Sequence, residues 1–188
     1  MAEDLAGVHV AVLLTDGVEE PEFAKPKEAL EKAGAQVTVI SPNGGEIQAF
    51  RHHDKSKKYK ADKSLDQIDP SEFDALLLPG GALNADALRV IAKAQQFAKG
   101  IDSAGKPIAV ICHGPWLLVS SGLVRGRKIT SYHTIQDDLR NAGANWQDAE
   151  VLVNHNWVSS RKPDDIPAFN REMLKLFAEA TARNRKVA

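Results

Sequence analysis

Gly105-Lys106-Pro107-Ile108-Ala109-Val110-Ile111-Cys112-His113-Gly114-Pro115 is the stretch on which the fold turns. Its apolar run, Pro107 to Ile111, carries no alternating polar face, as expected of a parallel strand covered on both sides. It then passes within a few residues into Gly114-Pro115, where a proline suits the first turn of a helix because its missing N–H needs no partner there. Three further runs have the same character: Val8-His9-Val10-Ala11-Val12-Leu13-Leu14, Gln36-Val37-Thr38-Val39-Ile40 and Ala75-Leu76-Leu77-Leu78. Each ends at a turn signal, respectively Asp16-Gly17, Pro42-Asn43-Gly44-Gly45 and Pro79-Gly80-Gly81.

Helical spacing fills the gaps. Phe23, Lys27, Leu30 and Ala33 form one stripe closed by Gly34, with Pro26 predicting a kink or an irregular first turn. Leu88, Ile91, Ala92, Gln95, Ala98 and Ile101 predict a second helix stopped near Gly105. Beyond Pro115 the pattern predicts a short helix at Trp116 to Ser121, a strand at Lys128 to Ser131, and a helix at Ile135 to Asn141 capped by Thr134. Val151 to Val153 and Trp157 to Ser159 pair as a hairpin, and Asp164 to Arg183 makes a last amphipathic helix with Phe169, Met173, Leu176, Phe177 and Ala180 on its apolar side. Alternating strand and helix is the signature of an α/β fold with one open, mostly parallel sheet, right-handed crossovers and helices on both faces. No repeat or linker divides the chain, which reads as a single domain over residues 1–188.

Composition narrows the function. With 24 basic against 25 acidic residues the formal charge is −1, so no global field draws the chain to nucleic acid or a membrane. At 43% apolar and 26% charged, its 188 residues are globular in composition, neither disordered nor fibrous. No apolar run approaches the roughly 18 residues of a membrane span. The start, Met1-Ala2-Glu3-Asp4-Leu5, lacks the basic-then-apolar pattern of a secretory signal, and one cysteine allows no intrachain disulfide. A reduced, cytoplasmic protein is expected. Between Arg51 and Lys63, six basic residues stand against Asp54 and Asp62, beside His52 and His53. That segment reads either as a solvated hairpin with charged edges or as a nucleic-acid patch, for which Tyr59 is the one stacking surface.

In open parallel sheets ligands bind at the carboxyl ends of the strands. The residues after each run therefore make up the candidate site: Asp16, Gly17, Glu19, Glu20 and Glu22 after the first, Gly80 and Gly81 after the third, and Cys112, His113 and Gly114 after the fourth. A thiol where a strand turns directly into a helix resembles a nucleophile elbow. The positive end of the helix dipole is expected to lower its pKa. An ordinary thiol near ~8.5 is a few per cent ionised at neutral pH, and a drop of about two units would ionise most of it. The competing reading is a small buried apolar cysteine. Glu22 could aim a carboxyl at the thiol, raising its pKa if ionised and lowering it if protonated, while Glu20 reads as acidic decoration of a helix start. N–H groups at Gly81 and His113 could form an oxyanion hole, with Gly80 beside them. If His113 reaches the thiol it needs an orienting acid, and Asp86 is the nearest by topology. The other histidines show no metal spacing, so neither a metal nor a cofactor is expected.

At Cys112-His113-Gly114-Pro115 the chain becomes similar to a known family. The run Gly105 to Pro115 resembles the signature of the PfpI intracellular cysteine protease family within the ThiJ/PfpI superfamily. So do Phe73 to Gly81, Arg125 to Lys128, Asn141 to Ala144 and Asn156 to Arg161, in order and spacing. The resemblance implies a flavodoxin-like three-layer sandwich of the class I glutamine amidotransferase type, and a homodimer or larger ring. It implies Cys112 as nucleophile, His113 as its base, and a carboxylate from the adjacent subunit at the position of Asp86. Glu22 matches the carboxylate that hydrogen-bonds the nucleophile, Glu19 a second acid of the same turn, and Tyr132 a pocket tyrosine, with His133 departing from the pattern. The activities implied are peptide hydrolysis, cofactor-free glyoxalase chemistry and removal of methylglyoxal adducts, in a stress-response cysteine hydrolase acting on small carbonyl or peptide substrates. All share a thiolate attacking an electrophilic carbonyl. Two alternatives stand beside it: a redox sensor whose Cys112 stops at sulfenic or sulfinic acid, and a stress holdase that needs no thiol chemistry.

Overall fold

The computed structural model describes residues 3–187, with side chains through residue 182, so Met1 and Ala2 of the N-terminal reading lie outside it. In chain order the elements are β1 (His9–Leu13), β2 (Val18–Glu19), α1 (Glu20–Lys32), β3 (Gln36–Ser41), β4 (Glu46–Arg51), β5 (Asp54–Lys60), β6 (Lys63–Ser64), β7 (Ala75–Leu78), α2 (Ala82–Arg89) and α3 (Ala92–Ser103). The chain continues through β8 (Ile108–Ile111), α4 (Pro115–Ser120), β9 (Lys128–Ile129), α5 (Gln136–Asn141), β10 (Asn145–Trp146), β11 (Val151–Asn154), β12 (Trp157–Ser160) and α6 (Ile166–Val187).

Seven strands form the central sheet in the order β11-β12-β8-β7-β1-β3-β6, parallel throughout except for the edge strand β11. The four apolar runs supply its middle, where continuous burial on both faces is what an unbroken run of Val, Ile, Leu and Ala provides. Successive residues of β1 face opposite ways. Val10 and Val12 join a core with Phe23 and Leu30 of α1 and Phe169, Met173 and Phe177 of α6. Ala11 and Leu13 join another with Leu88 of α2, Phe97 and Ile101 of α3, Leu117 of α4 and Leu139 of α5. The result is the expected three-layer sandwich.

The structure corrects four local expectations. The helix predicted from Leu88 to Ile101 is two, α2 and α3, broken at Val90 and Ile91, where the Gln95 side-chain amide donates to the Arg89 carbonyl freed at the break. Helix α1 starts at Glu20, so Pro26 lies in its interior and not at an irregular first turn, where Pro21 stands instead. Thr134 does not cap α5, which is entered through a 3-10 turn at His133–Ile135 with no side-chain cap. The strand at Lys128 is two residues long and pairs with β10 outside the central sheet. The basic segment is a hairpin, β4 and β5, turning at His52-His53, and β2 pairs with β4 to complete a small second sheet. This sheet carries the hairpin tip to the rim where the candidate residues lie. Among the described residues no helix is long and apolar enough to cross a membrane.

Candidate active site

The middle three strands build the site by their order. Strand β7 lies between β8 and β1, so Pro79-Gly80-Gly81 is flanked on one side by Cys112 and on the other by the turn carrying Glu19 and Glu22. Only a residue without a side chain fits in the middle. A Cβ on Gly80 would come within 2.2 Å of Glu22 Oε2 and 2.6 Å of Cys112 Cβ. A Cβ on Gly81, at φ 91°, would come within 2.3 Å of the Gly17 carbonyl oxygen. Asn84, fully buried, ties the two rims together: its amide donates to the Pro79 and Gly80 carbonyls at 3.2 and 3.0 Å, and its oxygen accepts from the Thr15 N–H at 2.7 Å.

Cys112 has a left-handed backbone, φ 63°, the conformation of a nucleophile elbow and one that costs a non-glycine residue of order 1–3 kcal/mol. Neighbours hold it there: its N–H donates to the Ser160 carbonyl at 3.1 Å, and its carbonyl accepts from the Tyr132 N–H at 2.9 Å. Cys112 is 6% exposed, and it lines a cleft of about 430 Å³. Its thiol lies 3.1 Å from His113 Nδ1. Although the two residues are adjacent in the chain, their side chains meet. His113 is stacked on Tyr132 with ring centroids 4.9 Å apart, meets Trp116 edge-on at 5.3 Å, and has Thr134 Oγ1 at 3.4 Å from Nε2.

Glu22 has no exposed surface, and neither of its carboxyl oxygens makes a hydrogen bond of normal geometry. Burial pushes its pKa up to about 8; the Cys112 thiol and the Gly80 N–H offset the burial in part, while the charge of Glu19 adds to it. The carboxyl is therefore protonated at neutral pH. Burial also pushes the Cys112 thiol up, with the nearby Glu22 as second cause, against a smaller pull from the N–H groups of Gly81 and His113. This corrects the expectation of a lowered thiol pKa: the loss of water around the sulfur outweighs the N–H groups that face it. Burial and the neighbouring His133 hold the His113 imidazole below the usual histidine range, so it is neutral and free to accept a proton.

Of the predicted residues, Cys112, His113, Glu22, Glu19, Gly81 and Tyr132 line the cleft, and Gly80 lies in contact with Glu22 and Cys112. Asp86 does not join them within the chain; it is exposed on α2. Glu20 is not decoration. It is 3% exposed and accepts hydrogen bonds from Arg51, Ser56 and Tyr59 of the hairpin. Sequence reasoning missed His52, His53, Lys162, Pro163 and Asp164, which also line the cleft. The last three come after β12, next to β8, so the carboxyl-end rule applied to one more strand finds them. No local signal marks the histidine pair, which is brought in by the hairpin. Nor did it pick out Asn84, whose signal is a turn-forming residue inside a helix. Among the described residues no three His, Cys, Asp or Glu side chains are grouped as a metal site.

Known proteins share this arrangement of chain. The profile of the DJ-1/PfpI family matches residues 8–176. Protein/nucleic acid deglycase 2 of Escherichia coli is 45% identical over 172 residues, covering 89% of this chain and 96% of that protein. Deglycase PfpI of Pyrococcus furiosus is 42% identical over 167 residues, covering 89% and 98%. The crystal structure of Drosophila melanogaster DJ-1beta superposes with a TM-score of 0.82 at 28% identity, covering 96% of this chain and 98% of that one. A family profile matching residues 8–176 and relatives above 40% identity over nearly nine-tenths of the chain place it in the DJ-1/PfpI family.

Proposed function

We propose that the chain is a cysteine hydrolase that attacks carbonyl compounds through Cys112, its substrates being methylglyoxal-type glycation adducts or peptide bonds. The observation that carries this is the Cys112 thiol on the cleft with a neutral imidazole 3.1 Å away and a protonated carboxyl behind it. The resting thiol keeps its proton. His113 Nδ1 takes that proton as Sγ bonds to the carbonyl carbon, and the π pair moves to oxygen, where the N–H groups of Gly81 and His113 can receive it. For a peptide, collapse breaks the C–N bond, the imidazolium protonates the leaving amine, and water hydrolyses the thioester. For methylglyoxal the addition gives a hemithioacetal. Transfer of its C–H proton to the neighbouring carbonyl carbon, with the hydroxyl proton shifting to oxygen through a base of the cleft, gives a lactoyl thioester, which water converts to lactate. Glu22 donates a hydrogen bond to the sulfur whenever it is anionic. The names of the two deglycases agree with this chemistry. A peroxide sensor fits less well, since a thiol raised by burial oxidises slowly.

Cys112→Ala tests the proposal: methylglyoxal and peptide turnover should fall by at least ~10³-fold with the melting temperature nearly unchanged. Undiminished turnover would overturn it.

We also propose that the chain works as a homodimer or larger assembly in which Asp86 of a neighbouring subunit orients His113. Support comes from the solvent side of α2 and the residue that follows it, where Asp86 stands between Leu83 and Val90, which are 64% and 77% exposed. Within the chain, His113 Nε2 has the Thr134 hydroxyl at a long 3.4 Å. Light scattering gives the assembly size. Mixing inactive Asp86→Asn and Cys112→Ala chains should restore part of the activity if the acid acts between subunits; no recovery after subunit exchange would refute it.

A further inference from the structure

A second hollow, of about 490 Å³, lies beside the active-site cleft. Its own walls are Pro21 and Lys25 of α1, Arg51 of the hairpin and Pro167 of α6. Glu19, His52, Pro163 and Asp164 line both spaces, so the two adjoin across that partition. A free dicarbonyl of a few heavy atoms needs only the cleft. An adjoining compartment of equal size is space for the part of a longer substrate that does not react.

The chemistry of this hollow favours one kind of flank. Among the described residues, each charged group of the hollow other than Lys25 has a polar partner. Arg51 is held by Glu20, Asp164 pairs with Lys162 at 3.2 Å, and Glu19 accepts from the His52 N–H at 3.0 Å. On α1, Lys27 pairs with Glu31 and Lys32 with Glu28, one turn apart. Lys25 is exposed and has no ion-pair partner among the described residues. Three prolines supply rigid apolar surface that orders a bound backbone without losing rotamer freedom. We infer that this hollow binds the polypeptide flank of a chain-borne substrate, with Lys25 receiving an acidic side chain of that flank, while the reacting carbonyl sits over Cys112.

This rests on the carbonyl chemistry proposed for Cys112, and the experiment separates the two. Three substrates are compared on the natural chain and on Lys25→Glu: methylglyoxal, and a short peptide whose single lysine carries a methylglyoxal adduct, flanked by glutamates or by glutamines. The natural chain should show a KM about threefold to fivefold lower for the glutamate-flanked peptide, the size of one exposed charge pair. In Lys25→Glu that preference should vanish or invert, with kcat and methylglyoxal turnover unchanged. An identical KM ratio in both chains overturns the inference and leaves the carbonyl chemistry intact. Absence of turnover on all three overturns the carbonyl chemistry instead. The hollow is then read directly, by fluorescence anisotropy of the two labelled peptides on Cys112→Ala protein. Tighter binding of the glutamate-flanked peptide, abolished by adding Lys25→Glu, supports the inference, and equal binding sinks it.

Discussion

Glu20 and Glu22 stand two residues apart in the first turn of α1, both almost wholly buried, and they live in opposite worlds. Glu20 faces the hairpin and accepts from Arg51 Nε at 2.8 Å, from Tyr59 at 3.1 Å and from Ser56. The Arg51 hydrogen bond is the first cause that lowers its pKa. Glu22 faces the sheet, finds no good partner, and is pushed up to about 8. Burial by itself thus says little about a carboxyl. Where the surroundings satisfy it, it is an anchor; where they do not, it is a proton held in readiness beside a thiol.

The largest effect should come from Glu22. Its folded pKa lies above the unfolded value of 4.5, so the folded chain holds a proton that the unfolded chain releases, and stability falls as pH rises from about 4.5 to about 8. The loss is about 5 kcal/mol at most, a large share of a typical domain's stability. Glu22→Gln should remove that slope, so its stability relative to the natural chain should rise between pH 4 and pH 9 while turnover drops at least tenfold. Urea titrations at the two pH values check this, and parallel pH dependences would dissolve the contrast with Glu20. Next in size, Gly80→Ala forces a methyl into the Glu22–Cys112 contact and should cost about 1–3 kcal/mol along with most of the activity.

On the hairpin side, Glu20→Ala should cost about 2 kcal/mol by stripping the hydrogen bonds from Arg51, Ser56 and Tyr59, measured as a shifted urea midpoint. The sign of its pH dependence is opposite to that of Glu22. The depressed folded pKa of Glu20 contributes stability present above pH 4.5 and lost as acid titrates the folded carboxylate. Because the hairpin brings His52 and His53 to the cleft, this variant should raise KM more than it lowers kcat. Smallest of all, Tyr59→Phe removes one bond and keeps the edge contact with Phe23, at a cost of about 1 kcal/mol.

The central strands were legible because an apolar run bounded by Gly and Pro has one good home, the middle of a covered sheet. The site was legible for the same reason: four carboxyl ends fall on one rim, and each carries a polar or glycine-rich turn. The helix break at Val90-Ile91 was hidden, since Leu88, Ile91 and Ala92 keep helical spacing across it. Glu20 was misread because nothing within α1 reveals that a strand some thirty residues later returns to cover it.

Local order in the chain, the alternation of runs and turns, determined the class of fold, the elbow at Cys112 and the cast of residues around it. Those are consequences of hydrophobic periodicity and backbone preference, which act between near neighbours. The protonation states, the second hollow and the histidine wall were decided only by packing. Desolvation depends on what every distant segment places around a group, and that sum exists only once the sheet, α1 and the β4–β5 hairpin have closed upon each other.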